Sequence, residues 1–411
     1  MTFKARLIFA YRQSRTKLFL VFAYILESLL QNARLKQADK LINFLDFFNI
    51  NLAKLYKARL YFTKGDFEKA LTYINAFLSK TKSIDASYFK CEILKFLGKK
   101  EEAFILIENL IKTSDRIKSW DILAKLIQDD KDFLRVEKIY KQNLNNFTKF
   151  KSHKHEISRH LSCIQIPINS EEVFKFQKNL VKVVLLSGKN QQSIKKAMSL
   201  KNALQALQDL DKLFKKHNKE YFLISGTFLG LIRDKNFIST DYDIDLGVFD
   251  IKLEDLQSMI IKDSNFILAS LYHEHFVQFY HLNGIYIDIF IHYKEGDKIY
   301  HNGDFLRWKN SFFTLTDYEF LGLKAKAPLN HNLYLEENYG PNWQVPKNSL
   351  EFNSFLDTPN LEVTNEKQMI ICLYYLLMSD FAKNNKKRIL EKLKFYKEDE
   401  FIKECLKDEN E

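Results

Sequence analysis

Hydrophobic and polar positions follow two different rhythms along this chain. The first 150 residues read as helical repeats. One unit, Tyr61-Phe62-Thr63-Lys64-Gly65-Asp66-Phe67-Glu68-Lys69-Ala70, returns as Phe96-Leu97-Gly98-Lys99-Lys100-Glu101-Glu102-Ala103. Ala38 lies 32 residues before Ala70, Ala103 lies 33 after it, and Val136 a further 33 on. A small residue at that interval lets two antiparallel helices approach closely. Residues 151–197 are less regular and predict a helical connector.

From residue 198 the pattern becomes α/β. Leu200, Ala203, Leu204, Leu207, Leu210 and Phe214 keep helical spacing. Tyr221 to Ile224 predicts a short buried strand that ends at Ser225-Gly226, and Thr227 to Asp234 a short helix. Asp241 to Phe249 predicts a strand, Leu253 to Ile261 a helix, and residues 266–272, 276–282 and 285–293 three more strands. Asn283-Gly284 between the last two is a strong hairpin signal. Beyond residue 300 loops and helices are expected, with two helices over 366–407. The predicted class is α+β: an all-α array (1–150), the connector (151–197), a mixed-sheet domain (198–360) and C-terminal helices packed on it (361–411).

Composition supports a globular chain, 46% hydrophobic and 28% charged, with few glycines and prolines. The formal net charge of +11 reads first as solvated Lys-rich helix faces. An anionic membrane surface, an anionic glycan or a nucleotide donor are its functional alternatives. Nucleic acid is not expected, because no helix-turn-helix, RNA-binding aromatic motif or zinc-finger spacing occurs. Cys91, Cys163, Cys372 and Cys405 lie far apart with no CxxC, which fits reduced thiols in a cytoplasmic protein. His153, His155 and His160 beside Cys163 lack a recognised metal-ligand spacing and read as a solvated segment. The apolar runs Leu18 to Leu30, which contains Glu27, and Met369 to Met378 are too short to span a bilayer and predict buried helices.

The chemistry concentrates between residues 225 and 292. Side chains alternate along a strand, so Asp241, Asp243 and Asp245 share one face while Tyr242, Ile244, Leu246 and Val248 share the other. Positions two apart are about 6.7 Å from each other, close enough for two carboxylates to converge on one cation. On a second strand Ile285, Ile287, Ile289 and Ile291 form an apolar face, and Tyr286, Asp288, Phe290 and His292 the other. A carboxylate in so apolar a strand is costly unless it faces solvent or meets a cation or a proton-transfer role. With acidic partners upstream a cation is preferred, which gives the metal set Asp243, Asp245 and Asp288. Hard oxygen ligands suit Mg²⁺ or Mn²⁺. Ser225, Gly226 and Thr227 open a helix and could hold phosphate oxygens, or merely cap it. Arg233 offers a bidentate clamp for a diphosphate with Lys235 beside it, though either alone reads as surface charge.

Two resemblances follow. The repeat unit is similar to the tetratricopeptide repeat, which implies an array that braces its neighbour or binds a protein partner. The ordered pieces Gly226-Thr227-Phe228-Leu229-Gly230-Leu231-Ile232-Arg233, Phe237-Ile238, Asp241-Tyr242-Asp243-Ile244-Asp245, Tyr286-Ile287-Asp288-Ile289-Phe290 and Leu335 to Trp343 with Pro346 resemble the LicD/fukutin family. Tyr242 stands where a middle Asp is frequent, and Asn236 where Gly is usual. The resemblance implies the nucleotidyltransferase fold shared with polymerase-β-like enzymes. It implies transfer of a phosphorylated alcohol, of the phosphocholine or phospho-alditol type, from a CDP-linked donor to a glycan or lipid-linked glycan hydroxyl. Asp243, Asp245 and Asp288 would then bind Mg²⁺ at the donor diphosphate. Asp241 or one of the metal carboxylates would accept the acceptor's proton, and Trp343 and Tyr339 would stack on the cytosine or a sugar, with core packing favoured for Tyr339. The expected product is a modified bacterial capsule or lipopolysaccharide, made in the cytoplasm with peripheral contact to the inner face of the membrane. The alternatives are nucleotidyl transfer with release of pyrophosphate, and a non-catalytic scaffold for glycan-assembly enzymes.

Overall fold

The computed structural model describes residues 17–405 apart from positions 33, 115, 148–150, 163, 165, 167, 189–196, 270–272 and 349. Cys163 therefore lies outside the described residues. The chain forms two compact units that interleave along the sequence. One comprises Met1–Ile122, Glu254–Leu271 and Phe279–Tyr286; the other comprises Leu123–Leu253, Tyr272–Gln278 and Ile287–Glu411.

In the first unit α1 (Lys17–Gln31) pairs with α2 (Leu35–Phe47), α3 (Leu52–Thr63) with α4 (Phe67–Lys80), and α5 (Ile84–Phe96) with α6 (Lys100–Thr113). The alanine interval marks the contacts: Ala38, Ala70 and Ala103 each have 0% exposure. Gly65 turns α3 into α4 at φ +73°, and Asp66 caps α4 by accepting from the Lys69 amide at 3.1 Å. A Cβ on Gly65 would fall 2.6 Å from the Ile261 carbonyl oxygen, so close approach demands glycine there as much as backbone conformation does. Glu27 on α1 is fully buried; it accepts from the Tyr56 hydroxyl at 3.1 Å and pairs with Arg59. The apolar α1 run is buried on one face only, for Val21 and Tyr24 are more than half exposed.

The chain continues through α7 (Ile117–Ala124), α8 (Asp130–Phe147), α9 (Lys151–Ser162), α10 (Glu171–Leu185) and α11 (Leu200–Lys216). Val136 on α8 is fully buried. Then follow β1 (Phe222–Leu223), α12 (Ser225–Leu229), a π-turn over Gly230–Asp234, β2 (Asp243–Val248), α13 (Leu253–Ile261), β3 (Phe266–Leu268), β4 (Phe276–His281) and β5 (Tyr286–Glu295). In the first unit β3 pairs antiparallel with β4, with Phe266 opposite His281. Gly284 closes the hairpin between β4 and β5 at φ +98°, as Asn-Gly predicts.

Beyond residue 300 the expectation of loops and helices fails. The structure has β6 (Lys298–Asn302), β7 (Leu306–Ser311), β8 (Leu315–Phe320) and β9 (Leu323–Pro328). β7 to β9 are mostly half-buried and carry charged residues at alternate positions, so their apolar signal is weak. After α14 (His331–Tyr339) and α15 (Ser354–Asp357), β10 (Leu361–Val363) completes the order β10-β7-β6-β5-β2-β1-β9-β8. β1 runs antiparallel to β2 and parallel to β9, so the sheet is mixed and the α+β class holds. The C-terminal stretch forms three helices, α16 (Glu366–Leu377), α17 (Ala382–Phe395) and α18 (Asp399–Cys405), rather than two. α16 is buried along most of its length, and its Tyr374 hydroxyl donates to Glu398, which also binds Lys178 of α10. Among the described residues no helix is long and apolar enough to cross a membrane.

Candidate metal centre

The site grows from the turn after β1. Ser225 sits in the left-handed region at φ +44°, a strained setting for a residue with a side chain. Thr227, 1% exposed, accepts the Asp245 amide proton on its hydroxyl at 2.9 Å. Its role in the fold is to pin β2 to the turn. Gly226 supplies the space between them. A Cβ there would lie 2.5 Å from Asp241 Oδ2 and 3.7 Å from Asp245 Oδ2, so any side chain would push the carboxylates away.

Asp243 and Asp245 stand two residues apart on β2, and Asp288 projects from the neighbouring β5. One oxygen from each lies within 4.8 Å of the others. Gln278 donates to Asp288 Oδ2 at 3.4 Å. Asp241 comes just before β2 begins, and its Oδ1 accepts from the Tyr242 amide at 2.9 Å. Burial, followed by the charges of Asp243, Asp241 and Asp288, holds the Asp245 carboxyl well above the usual carboxylate range, and a hydrogen bond from the Gly226 amide only partly offsets them. Like charges gathered this closely call for a positive counter-charge. The donor set is all carboxylate oxygen and fits a hard divalent cation. Asp243, Asp245 and Asp288 are the residues that could hold it; His155 and His160 join no such group among the described residues.

Residues 218–330 match the family model described as LicD/FKTN/FKRP, nucleotidyltransferase domain. That span runs from just before β1 to just after β9 and contains every carboxylate of the site. This domain belongs to the LicD/fukutin family. The chain is 30% identical over 175 residues to the ribitol-5-phosphate transferase FKTN of Mus musculus, covering 39% of this chain and 37% of the mouse protein. It is 30% identical over 159 residues to the Homo sapiens counterpart, covering 36% and 34%. An uncharacterized protein of Rickettsia typhi is 30% identical over 164 residues, 37% of this chain and 48% of that protein. The chain thus spans about a third of the length of the fukutin relatives it matches.

Within the LicD domain the other expected site residues take varied positions. Arg233 lies in the last part of the π-turn and forks its guanidinium onto Asp234 at 2.7 and 2.9 Å. Lys235 is exposed and left-handed at φ +54°. Trp343 is buried in the turn after α14, its amide donating to the Gly340 carbonyl at 3.2 Å.

Two tyrosines join the centre that sequence alone assigned to packing. Tyr242 does not share the face of Ile244, because β2 starts at Asp243 and strict alternation does not extend back to it. Burial and then the Asp243 and Asp245 charges raise its phenol, which hydrogen-bonds Asp243. Tyr339, at the end of α14, packs on Phe352 with ring centroids 5.4 Å apart. Its phenol is raised by burial and by Asp245 and Asp241, with Arg233 acting in the opposite sense. The position of Tyr242 between two aspartates was the available signal for the first. The helical spacing of Leu335 and Tyr339 gave none for the second.

Proposed function

We propose that this chain is a divalent-metal-dependent transferase of a phosphorylated alcohol, acting from a CDP-linked donor on a hydroxyl of a bacterial cell-surface glycan. The observation that carries the reading is the convergence of Asp243, Asp245 and Asp288 beside the Gly226 turn, inside the span that matches the LicD family. The named activity of the fukutin relatives, ribitol-5-phosphate transfer, supports the phospho-alditol form of the substrate.

Asp243, Asp245 and Asp288 would hold Mg²⁺ or Mn²⁺; a bound cation neutralises phosphate charge on the donor and on the leaving CMP. The Ser225 hydroxyl at the turn orients a phosphate oxygen. Arg233 joins it by exchanging its fork on Asp234 for the diphosphate. Asp241, held against the Gly226 turn, is the carboxylate we assign to take the acceptor proton, since the other three are committed to the cation. Tyr242 keeps Asp243 in place through its hydrogen bond. Trp343 lies beside the donor's base or sugar. The P–O bond to CMP breaks as the acceptor oxygen bonds to the distal phosphorus, with one proton passing to the base.

The N-terminal array is read as tetratricopeptide-like, bracing the catalytic domain or receiving a protein partner on the cytoplasmic face of the membrane. The test is release of CMP from CDP-ribitol or CDP-choline in the presence of Mg²⁺ and a glycan acceptor. Asp243→Ala and Asp245→Ala should each lower turnover by about a thousandfold or more, in line with loss of a metal ligand's electrostatic contribution. Undiminished, metal-independent turnover in those variants would sink the proposal. Release of pyrophosphate from a nucleoside triphosphate instead of CMP would replace it by nucleotidyl transfer.

A further inference from the structure

A polar cavity lies in the unit that holds the metal centre, away from the aspartates in sequence. It has a volume of about 320 Å³ and is lined by Lys298, Lys309, Ser311, Glu337, Asn360 and Glu362 among others. That volume is at the lower end of the ~300–1,000 Å³ typical of small-molecule sites. Glu337, on α14, is held in place by the Asn310 side-chain amide at 3.1 Å and the Ser311 backbone amide at 3.0 Å. Glu362 is gripped by Arg307. The two lysines have only long ion-pair contacts: Lys309 is 3.8 Å from Glu362 and Lys298 is 3.9 Å from the exposed Asp297, and Lys298 also donates to the Ser311 hydroxyl at 3.4 Å. Asn360 donates its amide to Asn338, while its buried Oδ1 has no donor.

This inventory selects a class of ligand. An inorganic anion would face two carboxylates, and a cation would face two ammonium groups. An apolar ligand would strand all of them and the Asn360 oxygen. A hydroxyl both donates and accepts, so a molecule carrying several satisfies carboxylates, ammoniums and amides together. We propose that this cavity binds a polyhydroxylated ligand of the saccharide or alditol class through Glu337, Asn360, Lys298 and Lys309. α14 carries Glu337 and also Tyr339, whose phenol feels Asp241 and Asp245. On the transferase reading, the occupant is the acceptor glycan. That last assignment rests on the transferase reading, whereas saccharide binding does not.

The experiment is saturation-transfer NMR on the full chain with galactose, N-acetylglucosamine and ribitol as probes, and inorganic phosphate followed separately by ³¹P line width. Saccharide or alditol signals should appear. They should weaken by about tenfold in Lys298→Met/Lys309→Met, the size expected for losing charge-assisted hydrogen bonds. Both lysines are surface side chains, so this variant should fold; Glu337→Gln serves as the second, with circular dichroism to confirm its fold. The signals should persist in Asp245→Asn, which disables the metal centre. Absence of any saccharide signal overturns the proposal, as does a signal that vanishes in Asp245→Asn but survives in the lysine variant. Phosphate broadening that depends on the two lysines, without saccharide transfer, also overturns it in favour of an anion site. Inactive enzyme with lysine-dependent saccharide binding leaves the cavity assigned and removes only the transferase reading.

Discussion

Glu27 and Asp245 are acids fully and partly withdrawn from water, in opposite company. Glu27 sits inside the helical array with Arg59 and the Tyr56 hydroxyl to receive its charge. Asp245 sits among Asp241, Asp243 and Asp288, and its own carboxyl is pushed upward by burial and then by them. The array treats charge as something to be neutralised within the fold. The LicD domain gathers like charges at one point instead. Stability and function therefore separate by region, and substitution of an acid should have opposite effects in the two places.

The largest expected effect is in the array. Arg59→Met leaves Glu27 buried without its cation and should cost about 3–5 kcal/mol, measured by urea unfolding. An unchanged midpoint would erase the contrast. The next effect lies in the sheet. His292 and His301 are opposed on β5 and β6, with ring centroids 4.5 Å apart. Burial lowers His292 to about 4 and holds His301 well below the ordinary histidine range. A lowered pKa in a base means that the unfolded chain binds protons first as pH falls. The stability that His292 contributes is thus complete above about 6.5 and is lost on the way to about 4. The loss at pH 4 should be about 3 kcal/mol, and His292→Leu should flatten that part of the pH profile.

A smaller effect tests helix approach in the array. Ala70→Leu overfills a fully buried contact and should cost about 1–3 kcal/mol by thermal unfolding. The smallest has the reverse sign. Asp245→Asn should raise the Tm of metal-free protein by about 2–4 °C at pH 8. A raised carboxyl pKa gives stability that is present at acid pH and lost as pH climbs through the folded value. The gain should accordingly fade below the ordinary carboxylate range, and added Mg²⁺ should stabilise the parent but not the variant. A lower Tm at pH 8 would mean that Asp245 is compensated as Glu27 is.

Legibility divides along the same line. The alanine interval found the helix contacts because close packing of helices leaves a periodic trace in side-chain size. The carboxylate trio was legible because Asp243 and Asp245 fall on the same side of β2 and Asp288 is the lone acid among Tyr286, Phe290 and His292 on the face of β5 opposite its isoleucines. Strands β7 to β9 were missed because Arg307, Lys309, Asp317, Glu319, Lys324 and Lys326 occupy their alternate positions and leave few large apolar residues between them. Tyr242 was misplaced by one assumption, that β2 starts two residues earlier than it does. Tyr339 feels the charge of Asp245 and Asp241 through the tertiary fold, which no local pattern records.

The turn at Gly65, pressed against the Ile261 carbonyl, has a consequence for biosynthesis. The helices from α1 to α6 leave the ribosome well before residues 254–271 and 279–286, which belong to the same compact unit. That unit stays incomplete until much of the sheet domain has been translated. Chaperone occupancy on nascent chains should therefore persist past residue 122 and fall only after residue 286 has emerged.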